Sequence, residues 1–166
     1  IKASTADGDG LWGGFDDLAP RIHLQHRENA GTDGGSTTTN TWVTRPVNTE
    51  VLDTGGNCSV ASNRFTLAAG TYEIMVRASA YNGGSSMIKL YNYTDSSDVL
   101  FGASTYFNKT YGSGDLWLIG RFTIAAQKTF EIRHRVSTGQ STNGMGRATS
   151  MASYEYYMDI CLRKTS

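Results

Sequence analysis

The sequence carries little charge and no bias toward either sign. Lys and Arg together number 15, Asp and Glu also number 15, and charged residues make up 18% of the 166 residues. Nucleic-acid-binding domains are normally basic, so this balance argues against that class. No apolar run is long enough to span a membrane, and no signal peptide is recognisable. Because the chain begins with Ile1 and not with Met, we expect it to be a fragment or processed product of a longer protein.

Cysteine is equally scarce. Cys58 and Cys161 are the only cysteines, and they lie far apart in the sequence. We expect two free, mostly buried thiols. A disulfide between them is the alternative, and it would imply an oxidising compartment.

The familiar motifs of catalysis are missing. The sequence has no HExxH or CxxC metal-binding motif, no GxSxG nucleophile motif and no phosphate-binding loop. His23 and His26 are three residues apart, so on a strand they would point to opposite faces and would not share a metal ion. His134 falls on the apolar face of its segment and is expected in the core. No spacing singles out the pair of carboxylates that glycoside hydrolysis requires. We therefore predict that the protein is not an enzyme.

No cofactor is expected, and calcium is the one metal ion for which the sequence offers candidate ligands. Thr32–Gly35 and Asp95–Asp98 carry oxygen ligands of the kind that Ca²⁺ prefers. Neither stretch matches an EF-hand, and ordinary turns are the other interpretation of both.

The chain is organised around the stretch Phe65 to Tyr81. After a break at Gly70, residues alternate strictly, with Glu73, Met75 and Arg77 on one face. The opposite face carries Tyr72, Ile74, Val76, Ala78 and Ala80. A period of two over about nine residues is the signal of a half-buried strand, so we predict a central β-strand here.

The rest of the chain shows the same alternation in short segments, with no helical pattern. We predict about ten antiparallel strands forming an all-β jelly-roll sandwich over residues 20–166. Residues 1–19, rich in Gly and Asp, are predicted to be a neck or linker, although Leu11, Trp12 and Phe15 are expected to pack against the domain or against symmetry mates. Asn82–Ser85 predicts a hairpin, and a tight turn at residues 126 and 127 is expected to pair Lys128–Val136 with the preceding strand. The predicted strands are Pro20–Arg27, Val47–Asp53, Cys58–Val60, Phe65–Leu67, Tyr72–Tyr81, Met87–Tyr93, Val99–Thr105, Asp115–Ala125, Lys128–Val136 and Ser153–Lys164.

Three segments carry a resemblance to a known family. The central stretch, Lys89–Asp95 (KLYNYTD) and Gly120–Arg135 (GRFTIAAQKTFEIRHR) resemble the complement 1q and tumour-necrosis-factor-like jelly rolls, in the versions found in bacteriophage tail fibres and other virion surface proteins. The resemblance covers about Pro20 to Lys164. It implies a jelly-roll fold, a homotrimer, a location on the virion after assembly in the host cytoplasm, and no catalytic motif.

Apolar residues on the outward faces of predicted strands indicate a second buried surface. These outward residues are Met75, Trp117, Ile119 and Tyr157, with Cys161 beside Tyr157. In the last strand, the inward face is predicted to carry Tyr154, Tyr156, Met158, Ile160 and Leu162. By the resemblance, the outward surface would be the threefold interface. The alternative is a monomer in which long loops or residues 1–19 cover it.

Recognition is expected in the loops, because loops carry function on rigid β scaffolds. The predicted loops are Glu28–Asn40, Asn82–Ser86, Tyr106–Gly114 and Gly139–Met151. Aromatic rings would stack on sugars while amide and charged groups donate hydrogen bonds. The alternative is that the aromatic side chains pack under their own loop. The candidate ligand-binding residues are Tyr106, Phe107, Asn108, Lys109, Tyr111, Asn143, Met145 and Arg147.

The sequence thus favours a non-enzymatic domain of a phage tail fibre or spike that binds a host cell-surface receptor, with a glycan as the expected ligand. The expected partners are copies of the chain itself and this receptor, without nucleic acid or membrane insertion. A structural trimerisation or cap module without its own ligand is the first alternative. A glycan-degrading enzyme is the second.

Overall fold

The computed structural model describes residues 21–166, and this part of the chain is all β. The predicted neck at residues 1–19, with Leu11, Trp12 and Phe15, lies outside the described residues. Residues 21–166 contain no helix that is long and apolar enough to cross a membrane. Within the described range the strands are β1 (Arg21–Asn29), β2 (Val43–Thr44), β3 (Thr49–Asp53), β4 (Cys58–Ala61), β5 (Arg64–Leu67), β6 (Gly70–Tyr81), β7 (Ser85–Asn92), β8 (Ser97–Phe101), β9 (Thr105–Tyr106), β10 (Ser113–Ile124), β11 (Lys128–Val136) and β12 (Tyr154–Lys164).

The strands form two antiparallel sheets. A five-stranded sheet has the order β10-β6-β12-β1-β3. A seven-stranded sheet has the order β4-β5-β11-β7-β8, with β2 pairing to β11 and β9 pairing to β7. Two sheets of antiparallel strands with non-sequential neighbours agree with the predicted jelly-roll sandwich. The number of strands is close to the expected ten, and the two additional ones are only two residues long.

The predicted central strand is confirmed. β6 lies between β10 and β12, and its inward residues Tyr72, Val76 and Ala78 are fully buried. The other sheet faces them with Phe65 and Phe130, whose ring centroids lie 5.8 Å apart. Each large apolar side chain buried in this way contributes roughly 1.5–3 kcal/mol to folding, so the alternation of β6 defines the core.

Two predicted hairpins are wrong. Asn82–Ser85 does turn the chain, with Asn82 and Gly84 at positive φ values of 52° and 66°. However, β6 and β7 belong to different sheets, so this turn crosses the sandwich. The short turn after β10 also crosses, because β11 pairs with β5 and β7 and not with β10. A local turn signal predicts a change of direction but cannot say whether the next strand stays in the same sheet.

The predicted orientation of the start of β12 is also wrong. In the pairing of β1 with β12, His26 is opposite Met158 and Arg27 is opposite Tyr156, so Tyr157 is an extra residue on β12. Such a bulge reverses the alternation. Tyr157 is therefore 3% exposed, while Tyr154 and Tyr156 face outward, 40% and 47% exposed. The Tyr157 hydroxyl donates a hydrogen bond to the Thr32 carbonyl at 2.7 Å, so this residue cannot contribute to an outward apolar surface.

A buried cation joins the two sheets. Arg45, fully buried, donates to the carbonyl oxygens of Ser79, Met145 and Tyr157 at 2.8–3.2 Å, and its Nη1 lies 3.0 Å from His134 Nδ1. Burial lowers the pKa of Arg45 to about 9.

Two buried histidines surround this cation. Burial and then the positive charge of Arg45 lower the pKa of His26 to about 3 and hold the pKa of His134 well below its usual value. The predicted core position of His134 is confirmed. The opposite orientation of His23 and His26 is confirmed as well, since His26 is fully buried while His23 lies on the outer face.

Candidate functional site

The outer face of the five-stranded sheet carries an apolar row. Ile119 is opposite Met75 in the pairing of β10 with β6, and Met75 is opposite Cys161 on β12. The row continues through His23 to Leu52 on β3. Ile119 is 71% exposed, and Met75 and Leu52 are each 44% exposed. These side chains line a groove of about 770 Å³. We call this row, with Trp117 beside it at 42% exposure, the apolar face.

A network of charged groups lies next to the apolar face on the same sheet. Arg77 bridges two carboxylates, Asp115 at 3.2 Å and Asp159 at 3.4 Å. Asp159 also accepts hydrogen bonds from Gln25 at 2.8 Å and from His23 at 3.0 Å. Burial would raise the pKa of Asp159, but these hydrogen bonds and the nearby positive charges lower it on balance. The carboxylate therefore stays ionised and fixes the side chains around it.

This network does not have the properties of a glycosidase pair. Hydrolysis of a glycosidic bond requires one carboxyl group that holds a proton near neutral pH, and its pKa must therefore be raised. Asp115 and Asp159 are both bound to Arg77, and the pKa of Asp159 is lowered. The pKa values of Glu131 and Glu155 are lowered as well. The arrangement favours structural ion pairs over acid catalysis.

Among the predicted interface residues, Met75, Trp117 and Ile119 therefore lie together on one outward face. Tyr157 does not join them because it is buried. Glu73 and Arg163 close one end of the apolar groove with an ion pair of 2.8 Å. None of these contacts tests self-association itself, so the trimer interface stays a prediction.

The predicted loop after β9 divides into exposed and inward residues. Tyr106 and Tyr111 are 68% and 85% exposed, and Lys109 is exposed beside them. Phe107 instead packs partly buried against the core. Asn108 is exposed, but its side-chain oxygen accepts hydrogen bonds from the backbone amides of residues 110 and 111 at 2.8 and 3.1 Å. The Asn108 side chain thus holds the turn.

The second predicted loop, before β12, is anchored from inside. Met145 is 2% exposed, so it cannot contact a ligand at the surface. Asn143 is half-buried, and Arg147 is exposed with its guanidinium donating to the Tyr81 hydroxyl at 2.9 Å. Glu155 accepts hydrogen bonds from backbone amides of this loop, which lower the pKa of its carboxyl. Of the three candidates in this loop, Arg147 alone is exposed.

In Thr32–Gly35 and Asp95–Asp98, the stretches with candidate calcium ligands, each carboxylate already has a partner within the protein. Asp95 lies 2.6 Å from Lys128 Nζ, and Asp98 lies 2.5 Å from Lys89 Nζ. Asp33 accepts a hydrogen bond from the Ala148 amide at 2.9 Å. Within residues 21–166, no group of three or more His, Cys, Asp or Glu side chains is arranged to hold a metal ion.

The two cysteines lie on different strands and are free. Cys58 is on β4 and Cys161 on β12, and both are half-buried. Burial raises the pKa of the Cys58 thiol to about 12 and also raises that of Cys161. Both thiols are therefore weak nucleophiles at neutral pH.

No family model matches the sequence, and no curated protein matches it. Among solved structures, the globular domain of zebrafish complement 1qA protein matches with a TM-score of 0.56 at 14% identity, covering 89% of this chain and 98% of that one. Murine APRIL matches with a TM-score of 0.58 at 7% identity, covering 88% and 98%. The PRD1 vertex protein P5, at 16% identity, has a TM-score of 0.49, which is too low to support an inference. At these identities the likeness concerns the fold alone, a complement 1q and tumour-necrosis-factor-like jelly roll.

Proposed function

We propose that this chain is a non-enzymatic, self-associating domain of a bacteriophage tail fibre or spike that attaches the virion to a glycan on the host cell surface. The observation that carries the proposal is the apolar face, which leaves Ile119 71% exposed on a strand of the five-stranded sheet. Contiguous exposed apolar surface of this kind marks interaction sites in soluble proteins. The sequence resemblance to virion proteins supports the biological setting.

The apolar face suits a second and third copy of the chain. It combines exposed aliphatic side chains with the ion pairs of Arg77 and Asp159, which fix the geometry beside them. Interfaces with an apolar centre and a polar rim have this composition. Burying a large side chain such as Ile119 in a partner contributes roughly 1.5–3 kcal/mol per copy. A homotrimer is the assembly that we propose.

Host recognition uses surface that self-association leaves open. The exposed Tyr106 belongs to β9, which pairs with β7 in the seven-stranded sheet, on the other side of the sandwich from the apolar face. Tyr111 and Lys109 lie in the loop that follows it. Exposed rings next to hydrogen-bond donors are suited to sugar rings, which present both apolar C–H faces and hydroxyl groups.

Light scattering tests the assembly. The wild type is expected to have a mass near three times the 18.0 kDa of one chain. Ile119→Glu places a charge on the apolar face and is expected to give a monomer. Tyr111→Glu is the matched control, because Tyr111 is 85% exposed, lies in the loop between β9 and β10 and does not line the apolar groove, so the mass is expected to stay unchanged. A monomeric wild type would refute the proposed interface.

Cell adhesion tests the attachment. The labelled wild type is applied to a panel of bacterial strains before and after periodate oxidation of their surface glycans. We expect the protein to bind at least one strain and periodate treatment to abolish this binding. We also expect the protein to release no new reducing ends from purified polysaccharide. A trimer that binds no strain would instead favour the structural cap module, for which the self-contained turn at Asn108 is the observation in favour.

A further inference from the structure

A second groove, of about 300 Å³, lies where β7 begins and β11 ends. We call it the indole groove after Trp42. Its volume is at the lower end of the range for small-molecule sites. It belongs to the seven-stranded sheet, so partners on the apolar face would leave it open. The polar and aromatic residues that line it include Asn40, Trp42, Ser85, Ser104, Thr105 and Arg135.

Four backbone segments hold the indole groove rigidly. Val43 pairs with His134, which places Trp42 near Arg135. Arg135 is opposite Met87 on β7, and Thr105 is opposite Ser86. The amide of Asn40 donates to the carbonyl of Val136 at 2.8 Å. Sites carried by paired strands are preorganised, which reduces the entropy lost when a ligand binds.

Neighbouring side chains fix the ring of Trp42. Lys89 Nζ lies 4.3 Å from the centroid of the indole, and the ring of Phe101 lies 6.3 Å away. Neither of these residues lines the groove. The indole therefore presents a separate part of its surface to the groove, in an orientation that packing has already selected.

Arg135 supplies a positive charge that no group within residues 21–166 neutralises. Its side chain is exposed, and it has no ion pair or side-chain hydrogen bond within residues 21–166. Arg133, two residues earlier on the same strand, is paired with Glu131 at 2.7 Å. The difference matters because an uncompensated guanidinium can form two parallel hydrogen bonds with the carboxylate of a ligand.

Hydroxyl and amide groups complete the lining of the groove. The side chains of Asn40, Ser85, Ser104 and Thr105 have no hydrogen-bond partner in the described part of the chain. They provide donors and acceptors around one aromatic surface and one cation. A pyranose matches this set, because its C–H face packs on an aromatic ring while its edge carries hydroxyl groups.

We propose that the indole groove binds a single carboxylate-bearing pyranose, a uronic acid or related acidic sugar, with the ring on Trp42 and the carboxylate on Arg135. This inference rests on the proposed attachment function and assigns its ligand class and location. The site differs from the predicted loop candidates, although Tyr106 is opposite Ser85 and so borders the groove.

Titration with defined sugars tests the assignment. Methyl glucuronide, trigalacturonate and sialyllactose are added at millimolar concentrations to the wild type, and methyl glucoside serves as the neutral match to methyl glucuronide. The readout is the NMR signal of each indole N–H, assigned with the variants Trp42→Phe and Trp117→Phe. At least one acidic probe is expected to shift the Trp42 signal and leave the Trp117 signal in place. If no acidic probe shifts the Trp42 signal, the proposal is wrong.

Charge variants separate recognition from folding. Arg135→Gln is expected to weaken the acidic probe at least about tenfold, since a hydrogen bond to a charged group is lost. Arg27→Gln is the matched control, because Arg27 lies on β1 of the other sheet and lines neither the apolar groove nor the indole groove, so this variant is expected to bind the probe as the wild type does. Equal affinity of Arg135→Gln and the wild type for the acidic probe would overturn the role of this residue. Equal affinity of the wild type for methyl glucoside and methyl glucuronide would overturn it as well.

Failure of the indole-groove proposal can be told apart from failure of the attachment proposal. Periodate-sensitive adhesion that survives in both Arg135→Gln and Trp42→Phe would refute the indole groove and leave attachment standing. Acidic-sugar binding at Trp42 without adhesion to any strain would support the groove and refute attachment.

Discussion

Acidification to a pH near 5 should destabilise this protein through the two histidines buried beside Arg45. His26 and His134 have no exposed surface, and Arg45 Nη1 lies 3.0 Å from His134 Nδ1. Within residues 21–166, Glu28 also lies next to His26, with its Oε1 3.2 Å from His26 Nε2. Burial and the charge of Arg45 outweigh it, so that the pKa of His26 falls to about 3.

The direction of this pH dependence follows from the number of protons that the folded and unfolded states bind. A histidine titrates near 6.5 in the unfolded chain, whereas in the folded chain His26 takes up its proton only near pH 3. Between these values the unfolded state binds more protons, so the free energy of unfolding falls as the pH falls from 6.5 toward 3.

At pH 5, protonation of the unfolded state lowers the free energy of unfolding by about 2 kcal/mol for a histidine that stays neutral when folded. His134 shifts in the same direction and adds to this loss. A typical carboxylate contributes only about 0.1 kcal/mol over the same interval. The histidines therefore dominate the pH dependence above pH 5.

Urea unfolding at pH 8, 7, 6 and 5, followed by tryptophan fluorescence, measures this dependence. The double variant His26→Gln/His134→Gln is expected to be less stable at pH 8 and to have a flatter profile. His23→Gln is the matched control, because His23 lies on the outer face and its replacement leaves the two buried histidines in place. A wild type equally stable at pH 8 and pH 5, or a double variant with the wild-type slope, would show that the buried histidines do not set the pH dependence.

Three further predictions concern the remaining structure. Gly146→Ala should destabilise by more than about 2 kcal/mol in urea unfolding, because φ is +134° and a Cβ would overlap the ring of Tyr157. Gly56→Ala, at φ +61° in open space, should cost only about 1 kcal/mol, and equal costs would contradict the overlap. Tyr157→Phe should cost about 1 kcal/mol through the lost hydrogen bond to Thr32, and an unchanged midpoint would argue against that bond. Cys58, whose thiol pKa is raised to about 12, should react with a disulfide reagent at pH 8 far more slowly in the folded than in the unfolded chain, and similar rates would contradict its burial.

Much of the strand pattern could be predicted because alternation is local. The period of two in β6 and the inward positions of Leu116 and Leu118 in β10 were both correct. The prediction failed at the start of β12, where one extra residue opposite β1 reverses the faces of Tyr156 and Tyr157. A bulge depends on the partner strand, and a single sequence does not reveal which strand that is.

The candidate site was predictable only in part for the same reason. Trp117 and Ile119 could be recognised as outward because they alternate with buried neighbours. Met145 was predicted at the surface, but Arg45, a hundred residues earlier, binds its carbonyl and draws the loop inward. The indole groove was missed altogether, since Trp42 and Arg135 carry no sequence signal that links them.

The all-β class, the positions of most strands and the outward faces of Met75, Trp117 and Ile119 could be read from the amino-acid sequence, because hydrophobic alternation records which face of each strand is buried. The folded protein alone shows which turns cross between the sheets, where the bulge falls, and which distant residues meet in the indole groove. Those features arise from pairing between segments far apart in the chain, as when Val43 meets His134, and the energy of such contacts appears only once the two sheets have packed.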